Sequence, residues 1–234
     1  MPALPTNVED IHPALWKGSQ LGRAAGVTVE PGYQALSAEL PGGGWPLGAL
    51  IDMMPQQSGI GELRILAPAL AKLASRPIVL LKPVQTPNIH GLAHIGLPLE
   101  NLMLLRPSNT ADTLWSAEQI LRAKTCGALL VWQQHVREES LRRLRLAAKS
   151  GDSLLVLFRP LAAAADASPA ELRLCLRPVD KGVSVDIVKR RGPTMDGPIQ
   201  IELRPSPILL SPHGRSRRAA PTLVPQWTPL GADA

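Results

Sequence analysis

Five short apolar runs punctuate the first two thirds of the chain: GALI at 48 to 51, PIVLLK at 77 to 82, NLMLLRP at 101 to 107, GALLVW at 127 to 132 and SLLVLF at 153 to 158. Each is too short for a helix that must bury a face, and each is bounded by turn or charged residues, so each predicts a buried strand. Between them the period changes. From 62 to 75, Leu63, Leu66, Ala67, Leu70 and Leu73 recur at helical spacing. Further helices are expected around 88 to 95, over 110 to 124, and over 137 to 150, where Leu141, Leu144 and Ala148 mark the buried side. Strands alternating with helices at these spacings predict a mostly parallel sheet covered by helices.

Local chemistry sharpens this outline. Thr110 is the expected cap of its helix, with Asp112 near the positive end. Pro68, inside the 62 to 75 pattern, predicts a kink or a loosened turn, because proline lacks the N–H that the helix needs. From Glu171 apolar and polar residues alternate through ELRLCLRPVDKGVSVDIVKRR and PIQIEL, which predicts an antiparallel extension at the sheet edge. The sequence reading therefore divides the chain into a helical arm (1 to 26), with Leu15 and Trp16 as apolar contacts, a core domain (27 to 204), and a Pro-, Ser- and Arg-rich tail (205 to 234) expected to be disordered.

Composition narrows the class. With 45% hydrophobic residues the 234-residue chain can fill an interior, while one Tyr, one Phe and five Trp leave that interior to aliphatic side chains. The net charge of +6 favours acidic partners or nucleic acid without selecting either. Cys126 and Cys175 each lie in or beside an apolar run and read as buried reduced thiols of a cytoplasmic protein. The N-terminus has neither the cationic start nor the apolar run of a signal peptide, and no membrane span is expected.

The unit at 49 to 75, strand then loop then helix, stands where a phosphate-binding loop would be placed. In a working loop, backbone amides cradle the phosphates, a lysine neutralises them and a hydroxyl holds Mg²⁺. This loop reads Pro55, Gln56, Gln57, Ser58, Gly59, Ile60, Gly61, with Ile60 at the lysine position and Gly61 at the hydroxyl position. Resemblance to a RecA-type core would place an acid at the end of the strand at 127 to 132, which here ends in Trp132, and a catalytic glutamate after the second strand, which here falls near Val84. No cofactor and no catalysis are expected. His90 and His94 share a helix face but lack a third ligand, so no metal is expected either.

The segment PGYQALSAELPGGGWPLGALIDMM and the strands that follow resemble a RecA-type core over roughly 28 to 203. LWKGSQLGRAAG, ELPGGGWPLGAL, GIGELRILAPAL, GLPLENLMLLRP and KRRGP together resemble the ImuA family, accessory proteins of SOS-induced translesion synthesis. That resemblance implies an α/β RecA-like fold and a non-enzymatic role in the mutasome. Its partners would be ImuB, RecA and, through them, an error-prone C-family polymerase, with DNA contact secondary and a homo-oligomer compatible. The alternative carried by the same degenerate fold is a SulA-like inhibitor of cell division that binds the tubulin-like division protein.

The resemblance places partner contacts at Lys189, Arg190 and Arg191, where RecA reaches across a subunit interface. The arm residues Leu15 and Trp16, and the tail residues Leu209, Leu210 and Trp227, are expected to anchor on a partner. Arg142, Arg143 and Arg145 are candidates for phosphate-backbone contact, the plain alternative being a solvated helix face.

Overall fold

The computed structural model describes residues 26–192, 195 and 197–203, within a unit that closes at Leu203. The contacts expected of the arm (Leu15, Trp16) and of the tail (Leu209, Leu210, Trp227) lie outside the described residues.

Strand β1 (Thr28–Val29) pairs antiparallel with β2 (Trp45–Pro46), and helix α1 (Gln34–Glu39) lies between them in sequence. The main sheet has eight strands: β3 (Leu50–Pro55), β4 (Ile78–Leu81), β5 (Leu102–Leu105), β6 (Ala128–Trp132), β7 (Leu154–Phe158), β8 (Leu172–Val179), β9 (Gly182–Lys189) and β10 (Ile199–Glu202). Their spatial order is β10-β9-β8-β3-β7-β6-β4-β5. Five neighbour pairs, from β8–β3 across to β4–β5, are parallel, while β9 and β10 join antiparallel. Every strand expected between 48 and 158 is present.

Connecting helices are α2 (Glu62–Leu73), α3 (Ile89–His94), α4 (Thr110–Ala123) and α5 (Glu138–Lys149). The two faces of the sheet are separately covered. Leu66 and Leu70 of α2 and Leu92 of α3 pack with Ile51, Met53, Leu80 and Leu130. Leu121 of α4 and Leu144 of α5 pack with Leu50, Val79, Leu129 and Leu155. Each fully buried leucine stabilises the fold by about 2 kcal/mol, which is why all positions of β3, β4, β6 and β7 are apolar except one. That one is Asp52.

Four local expectations change. Strand β3 runs on through Asp52 to Pro55, so the loop after it is shorter than the apolar run GALI suggested. Helix α2 continues through Pro68 as one element, since tertiary contacts take over the group that proline leaves unbonded. The cap of α4 is Asn109, whose side chain accepts from the N–H of Asp112, and Thr110 is already the first helical residue. Finally, β8 enters the sheet parallel to β3, so the antiparallel extension begins only with β9.

Candidate functional site

Strand β3 delivers the chain to the carboxyl edge of the sheet, where Gln56 to Gly61 turn into α2. Phosphate-binding loops use the free N–H groups of such a turn. Here two of them are already occupied. The carboxylate of Glu62 accepts from the N–H of Gly59 at 2.8 and 3.1 Å and from the N–H of Gly61 at 3.1 Å, and Glu62 is only 6% exposed. An internal anion thus sits on the amides where an external one would have to bind. Gly61 also adopts φ 121°, and a Cβ there would meet Leu203 Cδ1 at 2.3 Å. Leu203, just past β10, thereby covers the position where a metal-holding hydroxyl would stand. Ile60 packs against the core on the α2 side of the sheet.

Directly beneath lies a feature that the apolar-run reading missed. Asp52 stands opposite Arg173 in the β3–β8 register, and both Arg159, just past β7, and Arg173 donate to it. Asp52 is wholly buried, Arg159 is 3% exposed and Arg173 7% exposed. Arg173 further donates to the carbonyls of Ala163 (2.8 Å) and Asp166 (3.0 Å), and Arg159 pairs with Asp166 at 3.5 Å. Burial alone would pull the Arg159 guanidinium down, but its bonds to Asp52 and the charge of Asp166 outweigh this and hold it above its ordinary value. The cluster ties β3, β7, β8 and the 161–165 turn into one rigid edge. The signal in the sequence was a carboxylate inside a strand otherwise apolar, which must find a cation.

The carboxyl ends of β3, β4, β6 and β7 enclose a cavity of about 620 Å³. Its floor is Trp132 stacked on Phe158, centroids 4.6 Å apart and planes 18° from parallel. Where a hydrolase would carry its acid, this chain has an aromatic pair. Val84 lies at the rim, 62% exposed. A second cavity of about 720 Å³ lies between α4 and the start of α5 and shares Thr110, Gln134 and His135 with the first.

The cationic candidates are mostly engaged within the chain. Lys189 donates to the carbonyl of Ser168 at 2.8 Å, and Arg190 to the Glu39 carboxylate at 2.6 Å and the Glu39 carbonyl. Of that trio, Arg191 alone makes no side-chain hydrogen bond or ion pair among the described residues. Burial and the neighbouring Arg173 pull the Lys189 ammonium down. On α5, Arg142 pairs with Glu138 at 2.6 Å, Arg143 with Glu118, and Arg145 with Glu171 at 2.6 Å. Each of these three candidates for phosphate-backbone contact thus faces a carboxylate. His90 and His94 fall on α3, and among the described residues no cluster of metal-ligating side chains forms. Cys126 and Cys175 are buried and free. Among the described residues no helix is long and apolar enough to cross a membrane.

Comparison with known proteins matches residues 51–155, from β3 to β7, to the family model described as cell division inhibitor SulA. The SulA proteins of Yersinia pestis (strain Pestoides F) and Yersinia pseudotuberculosis (serotype O:1b) are each 33% identical over 100 residues, covering 42% of this chain. The chain spans 60% of the length of these curated relatives. The crystal structure of SulA from Pseudomonas aeruginosa aligns with TM-score 0.40 and 23% identity, over 47% of this chain and 97% of that one.

These matches correct the leading functional expectation. A translesion-synthesis accessory with ImuB, RecA and an error-prone polymerase as partners is overturned, because the sequence relatives and the family model carry the name of a cell-division inhibitor. The SulA-like alternative is the one they back.

Proposed function

We propose that this chain is a SulA-type inhibitor of cell division, produced in the SOS response and acting by stoichiometric binding to the tubulin-like division protein. The observation that carries the reading is the family match over residues 51–155, which takes in the loop, the Trp132 strand end and both helices α4 and α5. The loop supports the same reading. With Ile60 and Gly61 in place of a lysine and a hydroxyl, and with Glu62 on the amides, it offers a triphosphate neither cation nor metal ligand. The core is read as a degenerate RecA-like one, in which the nucleotide position has become structural and the protein works through its surface.

The test is assembly of the purified tubulin-like division protein, followed by light scattering with GTP. Full-length chain added at equimolar ratio is expected to suppress assembly, and its expression to give filamentous cells. Normal assembly at a several-fold excess of the chain, with normal division in cells, would refute the reading.

A further inference from the structure

The two cavities at the carboxyl edge of the sheet are not separate. They share the walls Thr110, Gln134 and His135, so they form one groove running from the loop after β3, over the Trp132–Phe158 floor, to the cleft between α4 and α5. Its charge is one-sided. The two carboxylates that line it are both held by arginines, Glu118 by Arg122 and Arg143, and Asp166 by Arg159. Lys82 and Arg137 line the groove, and their side chains make no hydrogen bond or ion pair among the described residues. Lys82 is also held at φ 55°, a left-handed backbone that a lysine adopts at a cost.

Two further features say what kind of occupant fits. Gln133 lines the groove with its Nε2 donating to Thr110 at 2.9 Å, while its Oε1 is buried and unpartnered, an acceptor that an N–H donor reaches once the side chain turns toward the groove. Trp115 lies in the wall at 61% exposure, a large apolar side chain left in water. Nucleic acid fits less well. The floor rings are stacked on each other and buried, which leaves a single exposed aromatic and too few free cations to track a phosphate backbone.

We propose that this groove binds an extended acidic segment of a partner protein. Carboxylates of the segment meet Lys82 and Arg137, one backbone N–H meets Gln133 Oε1, and one apolar side chain covers Trp115. The inference is independent of which protein supplies the segment.

The experiment selects a random dodecapeptide library on immobilised full-length chain and measures recovered peptides by fluorescence anisotropy. Expected are sequences rich in Asp and Glu with one bulky apolar residue, whose affinity falls at least tenfold for Trp115→Ala and for Lys82→Glu/Arg137→Glu. Affinity should fall further with added salt and stay unchanged for Leu146→Ala, which is exposed outside the groove. Trp115, Arg137 and Leu146 are exposed and Lys82 half-buried, and thermal unfolding checks that each variant folds. If Trp115→Ala is unfolded, the charge-reversed pair decides alone. Recovery of no groove-dependent peptide, recovery without acidic enrichment, tight binding of a 12-nucleotide single strand that the same variants abolish, or a dimer that Trp115→Ala dissociates would each overturn the proposal.

Discussion

The phenol of Tyr33 donates a hydrogen bond of 3.1 Å to the carbonyl of Arg64, the helical acceptor that Pro68 cannot serve. A proline inside a helix normally breaks it because the carbonyl four residues earlier loses its donor. Here a side chain from the segment before α1 supplies that donor, and the proline ring packs against Gly32, where a Cβ would approach Pro68 Cβ to 2.5 Å. Tyr33→Phe is therefore expected to cost about 1 kcal/mol. The loss should shrink in a Pro68→Ala background, where a backbone N–H returns; a denaturant double-mutant cycle measures it. The same bond sets an alkaline limit. Burial raises the phenol above its ordinary 10.0, against a smaller opposing pull from Arg64, so its contribution is intact below pH 10 and is lost as pH rises through the folded value.

Glu62 on the loop amides gives a second test. Glu62→Ala strips the acceptor from Gly59 and Gly61 and is expected to lower stability by about 1 kcal/mol, the loop being open enough for water to replace part of the loss. Installing the missing chemistry with Ile60→Lys and Gly61→Thr is expected to fail. A side chain at φ 121° is strained by about 1–3 kcal/mol and collides with Leu203, so calorimetry with Mg·ATP should show no binding and a lowered unfolding temperature. Micromolar nucleotide binding by that variant would mean that the loop can reopen.

Removing the centre of the buried ion cluster should be among the most damaging single changes. Asp52→Asn leaves Arg173 buried without a counter-ion and Arg159 with only Asp166, at a cost of about 3–5 kcal/mol. A triple variant with Leu at 52 and 159 and Met at 173 should recover much of this, because the uncompensated charges are removed together. Equal instability of the single and triple variants, by chemical denaturation, would assign the loss to packing.

Cys175 is 2% exposed, and burial, reinforced by Asp186, raises its thiol above 9.0 despite the nearby Arg177 and Arg173. Native protein should therefore resist iodoacetamide at this residue at pH 8.5, while urea-unfolded protein reacts within minutes. The raised value means that the neutral thiol is favoured in the fold, and that unfolding is helped only as pH climbs past 9.0. Peptide mass spectrometry reads both.

The sequence by itself determined the strands and most of the helices, because burial on both faces forces continuous apolar runs such as ALLVW and LLVLF, and one-sided burial forces the α5 pattern. It also determined that the loop carries Ile60 and Gly61, a matter of residue identity alone. The tertiary structure decided what those residues do. Asp52 announces only that it needs a cation, and Arg159 and Arg173 are identified as its partners once the fold brings together positions up to 121 residues apart, since an ion pair depends on distance in space and leaves no period in the chain. The contacts of Lys189, Arg190, Arg143 and Arg145 likewise come from other parts of the chain, whereas Arg142 pairs with Glu138 one turn away on α5 itself.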